Sequence, residues 1–187
     1  ALRNLDNSIR TIDYTVHRSP LPAERRVTKR ENAQENASLD LSNLYIDKSD
    51  NLNPRYTFDT FVVGPFNQLA HAAAKAVIER PGATYNPLFI YGSTGRGKTH
   101  LIQAIGNHFK KTRATAKALY VTSERFAVDY INAVRGGRAN SFKDQYRQYD
   151  LLIMDDVQFI ANTEKTQEEL FHLFNALRDS NKQIVFS

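Results

Sequence analysis

The run Gly92-Ser93-Thr94-Gly95-Arg96-Gly97-Lys98-Thr99 constrains the fold more than any other part of this 187-residue sequence. It follows the apolar stretch Leu88-Phe89-Ile90-Tyr91 directly and opens at Lys98 onto helical periodicity. A strand that ends in a glycine-rich loop and passes straight into a helix turns backbone N–H groups and the positive helix N-terminus toward one point. That point suits a β-phosphate. Lys98 then reaches the β- and γ-phosphates as a point charge, and the Thr99 hydroxyl is a ligand for Mg²⁺. A glycine-rich turn without a ligand is the competing reading, and strand, loop, Lys-Thr pair and helix together make it the weaker one.

Such a site calls for an acidic residue at the end of a neighbouring strand. Leu151-Leu152-Ile153-Met154-Asp155-Asp156 supplies it, 57 residues after Lys98. Four apolar residues read as a strand buried on both faces, and the two carboxylates emerge at its carboxyl end, where parallel α/β sheets place their ligands. The catalytic set is therefore Lys98, Asp155 and Asp156, with Thr99 and Asp155 holding the metal, Asp155 through water. Asp156 orients or deprotonates an attacking water. The fold class is α/β, a P-loop NTPase with a parallel sheet and flanking helices.

The rest of the chain divides unevenly. All eight glycines lie at or after Gly64, and residues 1–53 carry eight basic and eight acidic side chains. Residues 18–52 have mixed charge and no sustained period, so we expect a flexible, largely disordered linker. Residues 1–17 combine a helix end with the alternation Ile12, Tyr14, Val16 and read as the remnant of another domain. From residue 53 to 187 short apolar runs alternate with amphipathic ones in the rhythm of βαβ units. The spacing predicts helices over 66–79, from 98 to about 109, after a Ser123 cap until Gly136-Gly137, and over 142–149. Strands are predicted at 88–91, 118–122, 151–155 and 183–187. A last helix carries Leu170, Phe171, Phe174 and Leu177, with Phe171 and Phe174 expected as a core stripe. Tyr146 and Tyr149 are expected to cover the 151–155 strand.

The whole net charge of +5 falls after residue 53, and residues 110–147 hold nine Lys or Arg against Glu124, Asp129 and Asp144. Such a block favours a polyanion, although a basic solvated surface is its commoner cause. The absence of cysteine excludes disulfides, thiolate metal sites and a cysteine nucleophile. No run approaches the ~18 apolar residues of a membrane span, and we expect a soluble, cytoplasmic protein. His71, His108 and His172 share no ligand spacing with acids, and no metal site is expected from them.

These residues resemble the AAA+ ATPases and, within them, the bacterial chromosomal replication initiators. The resemblance runs from residue 53 to 187 and rests on Asn53-Pro54-Arg55-Tyr56-Thr57-Phe58, Phe61-Val62-Val63-Gly64 with Asn67, Tyr85-Asn86-Pro87, Gly97-Lys98-Thr99-His100-Leu101, Ser123-Glu124-Arg125-Phe126, Asp155-Asp156-Val157-Gln158-Phe159 and the stretch 166–177. It implies ATP and Mg²⁺ as ligands, with residues 53–64 folding over the adenine and Val62, Val63 and Asn67 near the base. His100 joins Gly92, Ser93, Thr94, Gly95, Arg96, Gly97, Lys98 and Thr99 in the nucleotide-binding run and is expected to pack rather than to transfer protons. The resemblance further implies that the insertion 123–149 grips single-stranded DNA, with Ile131 packing on sugar or base and Lys165 pairing with phosphate. Filament self-assembly, a replicative helicase partner and contact with acidic phospholipids are implied as well. Residues 1–17 resemble the end of an amino-terminal interaction domain.

Two positions depart from the family pattern. Gln68 stands where Arg is usual, and Arg96 is a bulky cation at a commonly smaller position, free either to contact phosphate or to face solvent. Lys165, often Arg in the family, keeps the charge and loses the planar fork. The sequence stops in the strand that should carry the γ-phosphate sensor. The core is thus expected to be incomplete, without the helical lid or the carboxyl-terminal domain that reads duplex origin boxes, and inactive as an ATPase alone. The alternative reading is a helicase loader or a related regulatory ATPase, against which the Asn53–Phe58 signature and the linker speak; a non-hydrolysing adaptor fits poorly with intact Lys98, Thr99, Asp155 and Asp156.

Overall fold

In this computed structural model residues 49–162 and 164–187 are described. The domain remnant expected at 1–17 and the linker as far as residue 48 lie outside them. Four parallel strands, β1 (Leu88–Phe89), β2 (Ala118–Thr122), β3 (Leu151–Asp155) and β4 (Gln183–Phe186), form one sheet in the order β1-β4-β3-β2. The order corrects one expectation: β3, which ends at Asp155, is not the neighbour of β1. β4 lies between them, so the glycine loop and Asp155 are two strand positions apart.

The period-2 alternation of β3 explains how the sheet acquires two helix layers. Leu151 and Ile153 join Ala118, Val185, Leu52, Val77, Ile102, Ile105 and Phe109 on one face, where α1 (Gln68–Glu79) and α2 (Lys98–Thr112) pack. Leu152 and Met154 join Leu119, Val121, Phe126, Phe142, Leu173, Leu177 and Ile184 on the other, under α3 (Ser123–Arg135), α4 (Ala139–Arg147) and α5 (Glu164–Asp179). A 3₁₀ segment, Val157–Asn162, leads from β3 toward α5. Every residue of β3 is buried, Leu151–Met154 as their apolar run requires and Asp155 with them.

Several local expectations shift for identifiable reasons. Helix α1 begins at Gln68, because the Asn67 side chain accepts from Gly64 N–H and donates to the Val62 carbonyl and so stabilises the preceding loop. Thr122 rather than Ser123 caps α3, accepting from the Arg125 N–H, while Ser123 is buried and donates to the Asp156 carbonyl. In α5 the buried positions are Thr166, Glu169, Leu173 and Leu177, so the core face is rotated from the expected stripe and Phe171 is 61 % exposed. Tyr146 is buried under the sheet as expected.

Residues 49–52, assigned to the linker from sequence, belong to the packed structure. The buried Asp50 carboxylate pairs with Lys110 and accepts from Leu52 N–H, the Asp50 carbonyl accepts from Tyr120 N–H at 2.8 Å, and Leu52 is buried between α2 and β3.

The loop before β1 is stitched to the start of β4. Gly82 N–H donates to Gln183 Oε1, Gln183 Nε2 donates to the Tyr85 carbonyl, and Asn86 bonds both the Lys182 carbonyl and Ile184 N–H. Gly82 has φ +78°, and a Cβ there would sit 2.1 Å from the Asn181 carbonyl oxygen; at Gly137, φ +68°, a Cβ would meet open space. Gly82→Ala is therefore expected to lower the unfolding free energy by about 2–3 kcal/mol and Gly137→Ala by about 1 kcal/mol. Equilibrium urea unfolding of the two variants checks the order, and equal losses would contradict the close approach.

Candidate functional site

The glycine run lies between β1 and α2, as its pattern requires. Gly92, Gly95 and Gly97 have φ of 153°, 78° and 81°, and the left-handed values at Gly95 and Gly97 are ones that only glycine adopts without strain. Gly97 immediately precedes the helix and lies against the Phe61 ring. Lys98 is half-buried and folds back across its own loop, donating to the Ser93 carbonyl at 3.4 Å. Its partner is a backbone carbonyl rather than a carboxylate.

Asp155, 3 % exposed at the end of β3, is the electrostatic centre of the site. A buried carboxylate costs several kcal/mol unless donors surround it. It has three. Thr99 Oγ1 donates to Oδ2 at 2.7 Å and the Tyr120 hydroxyl donates to the same oxygen at 3.0 Å, while Asp156 N–H donates to Oδ1 at 3.0 Å. The Thr99 contact joins the start of α2 to the end of β3 over the intervening β4. Thr99 and Asp155 are hard oxygen donors in contact with each other, a set that fits Mg²⁺, which takes one or two protein ligands and keeps phosphate oxygens and water for the rest.

Tyr120 escaped the sequence reading. Burial, reinforced by the Asp155 charge beside it, pushes its phenol well above the usual range, against a smaller opposing effect of the Gln103 side chain, so it stays protonated and keeps its hydrogen bond to the carboxylate at neutral pH. The signal available was a tyrosine inside an otherwise aliphatic strand, whose hydroxyl must find a partner. Asp156 adopts φ +55°, a strained conformation for a non-glycine residue, and accepts from Gln158 Nε2 at 3.1 Å.

A cleft of about 320 Å³ adjoins the loop; its lining includes Phe61, Phe66, Asn67, Ile90, Tyr91 and Leu101 together with the loop residues Gly92, Ser93, Arg96, Gly97 and Lys98. Asn67 lines this cleft. Val62 and Val63 do not line the cleft; Val62 is 81 % exposed, and Phe61 and Phe66 take the apolar positions. The Arg96 guanidinium lies 5.6 Å over the Phe66 ring and closes part of the rim. Thr94 and Gly95 are exposed in the loop.

His100 is engaged with the segment before α1. Its Nε2 donates to the Thr57 carbonyl at 3.0 Å, and its ring stacks on Tyr56 and meets Phe61 edge-on. Together with Gln103, which accepts from Asn53 N–H, and Asn107, which donates to the Asn53 and Tyr56 carbonyls, it fastens residues 53–61 along α2.

Ile131 is 37 % exposed on α3, in a row with the exposed Val128 and Val134. Lys165 is exposed in the first turn of α5, and the 3₁₀ segment that precedes α5 packs against α3. Arg125 on the same helix is engaged with Asp129 at 2.7 Å. Among the described residues no group of three His, Cys, Asp or Glu could hold a metal, and no helix is long and apolar enough to cross a membrane.

Comparison with known proteins places this geometry. The chromosomal replication initiator protein DnaA of Thermomicrobium roseum is 52 % identical over 181 residues, which are 94 % of this chain and 39 % of that protein. The chain thus spans about two fifths of that relative's length. Domain III of the Thermotoga maritima replication initiation protein DnaA superposes with a TM-score of 0.70 at 49 % identity, covering 72 % of this chain and 56 % of that one. A structure of the replication initiator DnaA bound to AMPPCP and single-stranded DNA gives a TM-score of 0.70 at 45 % identity over 73 % of this chain and 42 % of that one. A family model described as the bacterial DnaA ATPase domain matches residues 52–187, and the chain belongs to that family.

Proposed function

We propose that the chain is the nucleotide-binding core of an ATP-dependent initiator of bacterial chromosome replication, in which bound ATP drives assembly on origin DNA and hydrolysis resets it. The observation that carries the reading is the Thr99 hydroxyl held at 2.7 Å on the buried Asp155 carboxylate, with the Lys98 ammonium poised over an open glycine loop beside an apolar cleft. The loop N–H groups and Lys98 bind the phosphates. Phe61, Phe66 and Asn67 receive the base, with Val62 and Val63 on the outer side of the same segment. Thr99 and Asp155 hold Mg²⁺, which when bound neutralises phosphate charge. Asp156 orients the attacking water. The relative solved with AMPPCP and single-stranded DNA supports both ligands.

Single-stranded DNA is gripped by the exposed edge of α3 through Ile131, with Lys165 adding a phosphate contact, and the basic block 110–147 supplies the surrounding field. In the full-length initiator a carboxyl-terminal domain reads duplex origin boxes; filament self-assembly, the replicative helicase and acidic phospholipids complete the partners. All of this takes place in the cytoplasm.

In the full-length protein, Lys98→Ala is expected to weaken ATP binding roughly tenfold or more, the loss of a charge-assisted phosphate contact. Titration with a fluorescent ATP analogue measures it, and an unchanged affinity would overturn the nucleotide site. Ile131→Ala and Lys165→Ala are expected to weaken single-stranded DNA binding in the ATP state. Lys165→Ala should in addition reduce the slope of log affinity against log salt by about 0.7, one phosphate contact fewer. Anisotropy across a salt series reads both effects; the assignment is wrong if neither variant differs from the parent.

A further inference from the structure

Tyr120 lies in the middle of β2, in register with Ile153 of β3, and its hydroxyl donates to Asp155 Oδ2. An ionised carboxylate offers about four acceptor positions. Thr99 and Tyr120 occupy those on Oδ2, and Asp156 N–H occupies one on Oδ1, which leaves a single position, also on Oδ1. The terminal torsion of Asp is soft, so the direction of that position depends on what holds Oδ2. Of the two donors on Oδ2, Thr99 belongs to the helix that begins at the glycine loop and serves any ligand there. Tyr120 belongs to the sheet.

The Tyr120 backbone is itself tied on the outer edge of β2. Its N–H donates to the Asp50 carbonyl at 2.8 Å, and its carbonyl accepts from Asn51 Nδ2 at 3.1 Å. Residues 50–51 thus hold the strand position from which the phenol reaches the carboxylate. The arrangement resembles the partners behind metal ligands generally, where a second group fixes the orientation of the first.

We propose that Tyr120 is a positioning residue for the metal-facing carboxylate: its hydroxyl holds Asp155 in one orientation whether or not Thr99 donates to it, and so keeps one Oδ1 acceptor position for a magnesium-bound water. The proposal rests on the nucleotide-site reading above.

The test compares the full-length protein with its Tyr120→Phe variant, which loses one oxygen and keeps the ring. ATP affinity is measured in EDTA and across a magnesium titration. The magnesium concentration at half effect is expected to rise about tenfold, the usual loss when such a supporting partner is removed, with the affinity in EDTA unchanged within about twofold. Tyr146→Phe, in the opposite core, is expected to move neither quantity. An unchanged magnesium midpoint in Tyr120→Phe overturns the proposal, and so does a parallel loss of affinity in EDTA, which a merely structural role or a misfolded variant would produce. A parent protein whose ATP affinity ignores magnesium, or survives Lys98→Ala, overturns the nucleotide site itself and the proposal with it.

Discussion

The hydrogen bond from Thr99 to Asp155 is the constraint around which the rest of the structure is arranged. Its two ends come from elements that are not adjacent in the sheet: Thr99 from the helix that follows β1, and Asp155 from the end of β3, with β4 between them. The bond forms only if β4 inserts between β1 and β3 at the right register, which places Val185 opposite both Leu88 and Ile153. The loop before β1 secures that insertion by bonding the first residues of β4 through Gln183 and Asn86. A buried carboxylate is tolerable only with its donors in place, so the site and the topology stabilise each other.

Helix α2 is the second organising element. Its apolar residues Leu101, Ile102, Ile105 and Phe109 pack on the sheet, and its polar ones, His100, Gln103, Asn107 and Lys110, hold residues 50–57 in a row spaced three and four apart. The same helix begins with Lys98 and Thr99. The glycine-loop end of the cleft and the segment that supplies Phe61 to its apolar wall are therefore both fastened to one helix. Gly106, in the middle of that helix, lets Leu52 and Ile153 approach from either side; a Cβ there would lie under 3 Å from both.

The parts legible in the sequence were those governed by local pattern. β2 and β3 have the expected limits because each is a short, largely apolar run that closes on a polar residue, Thr122 and Asp155, and the glycine loop sits where its motif requires. The parts that were not legible depend on partners distant in the chain. Asp50 reads as a linker charge until Lys110, sixty residues later, meets it. Thr122 takes the cap from Ser123 because the Asp156 carbonyl claims the serine hydroxyl. The α5 stripe is rotated because Thr166 and Glu169 are buried, Glu169 in a pair with Lys143 of α4, and Phe171 is left outside. Tyr120 looked like one more apolar strand residue, since nothing in its neighbours announces a carboxylate on the adjacent strand.

If the coupling of Thr99 to Asp155 organises nucleotide binding, the two side chains must act as a unit, and a double-mutant cycle measures that directly. Magnesium-dependent ATP affinity would be compared in the parent, Thr99→Val, Asp155→Asn and the double variant. The expected result is strong non-additivity, with the double variant losing little more than the worse single one and a coupling energy above about 1 kcal/mol. Losses that simply add would contradict the account, because the two residues would then contribute to binding independently.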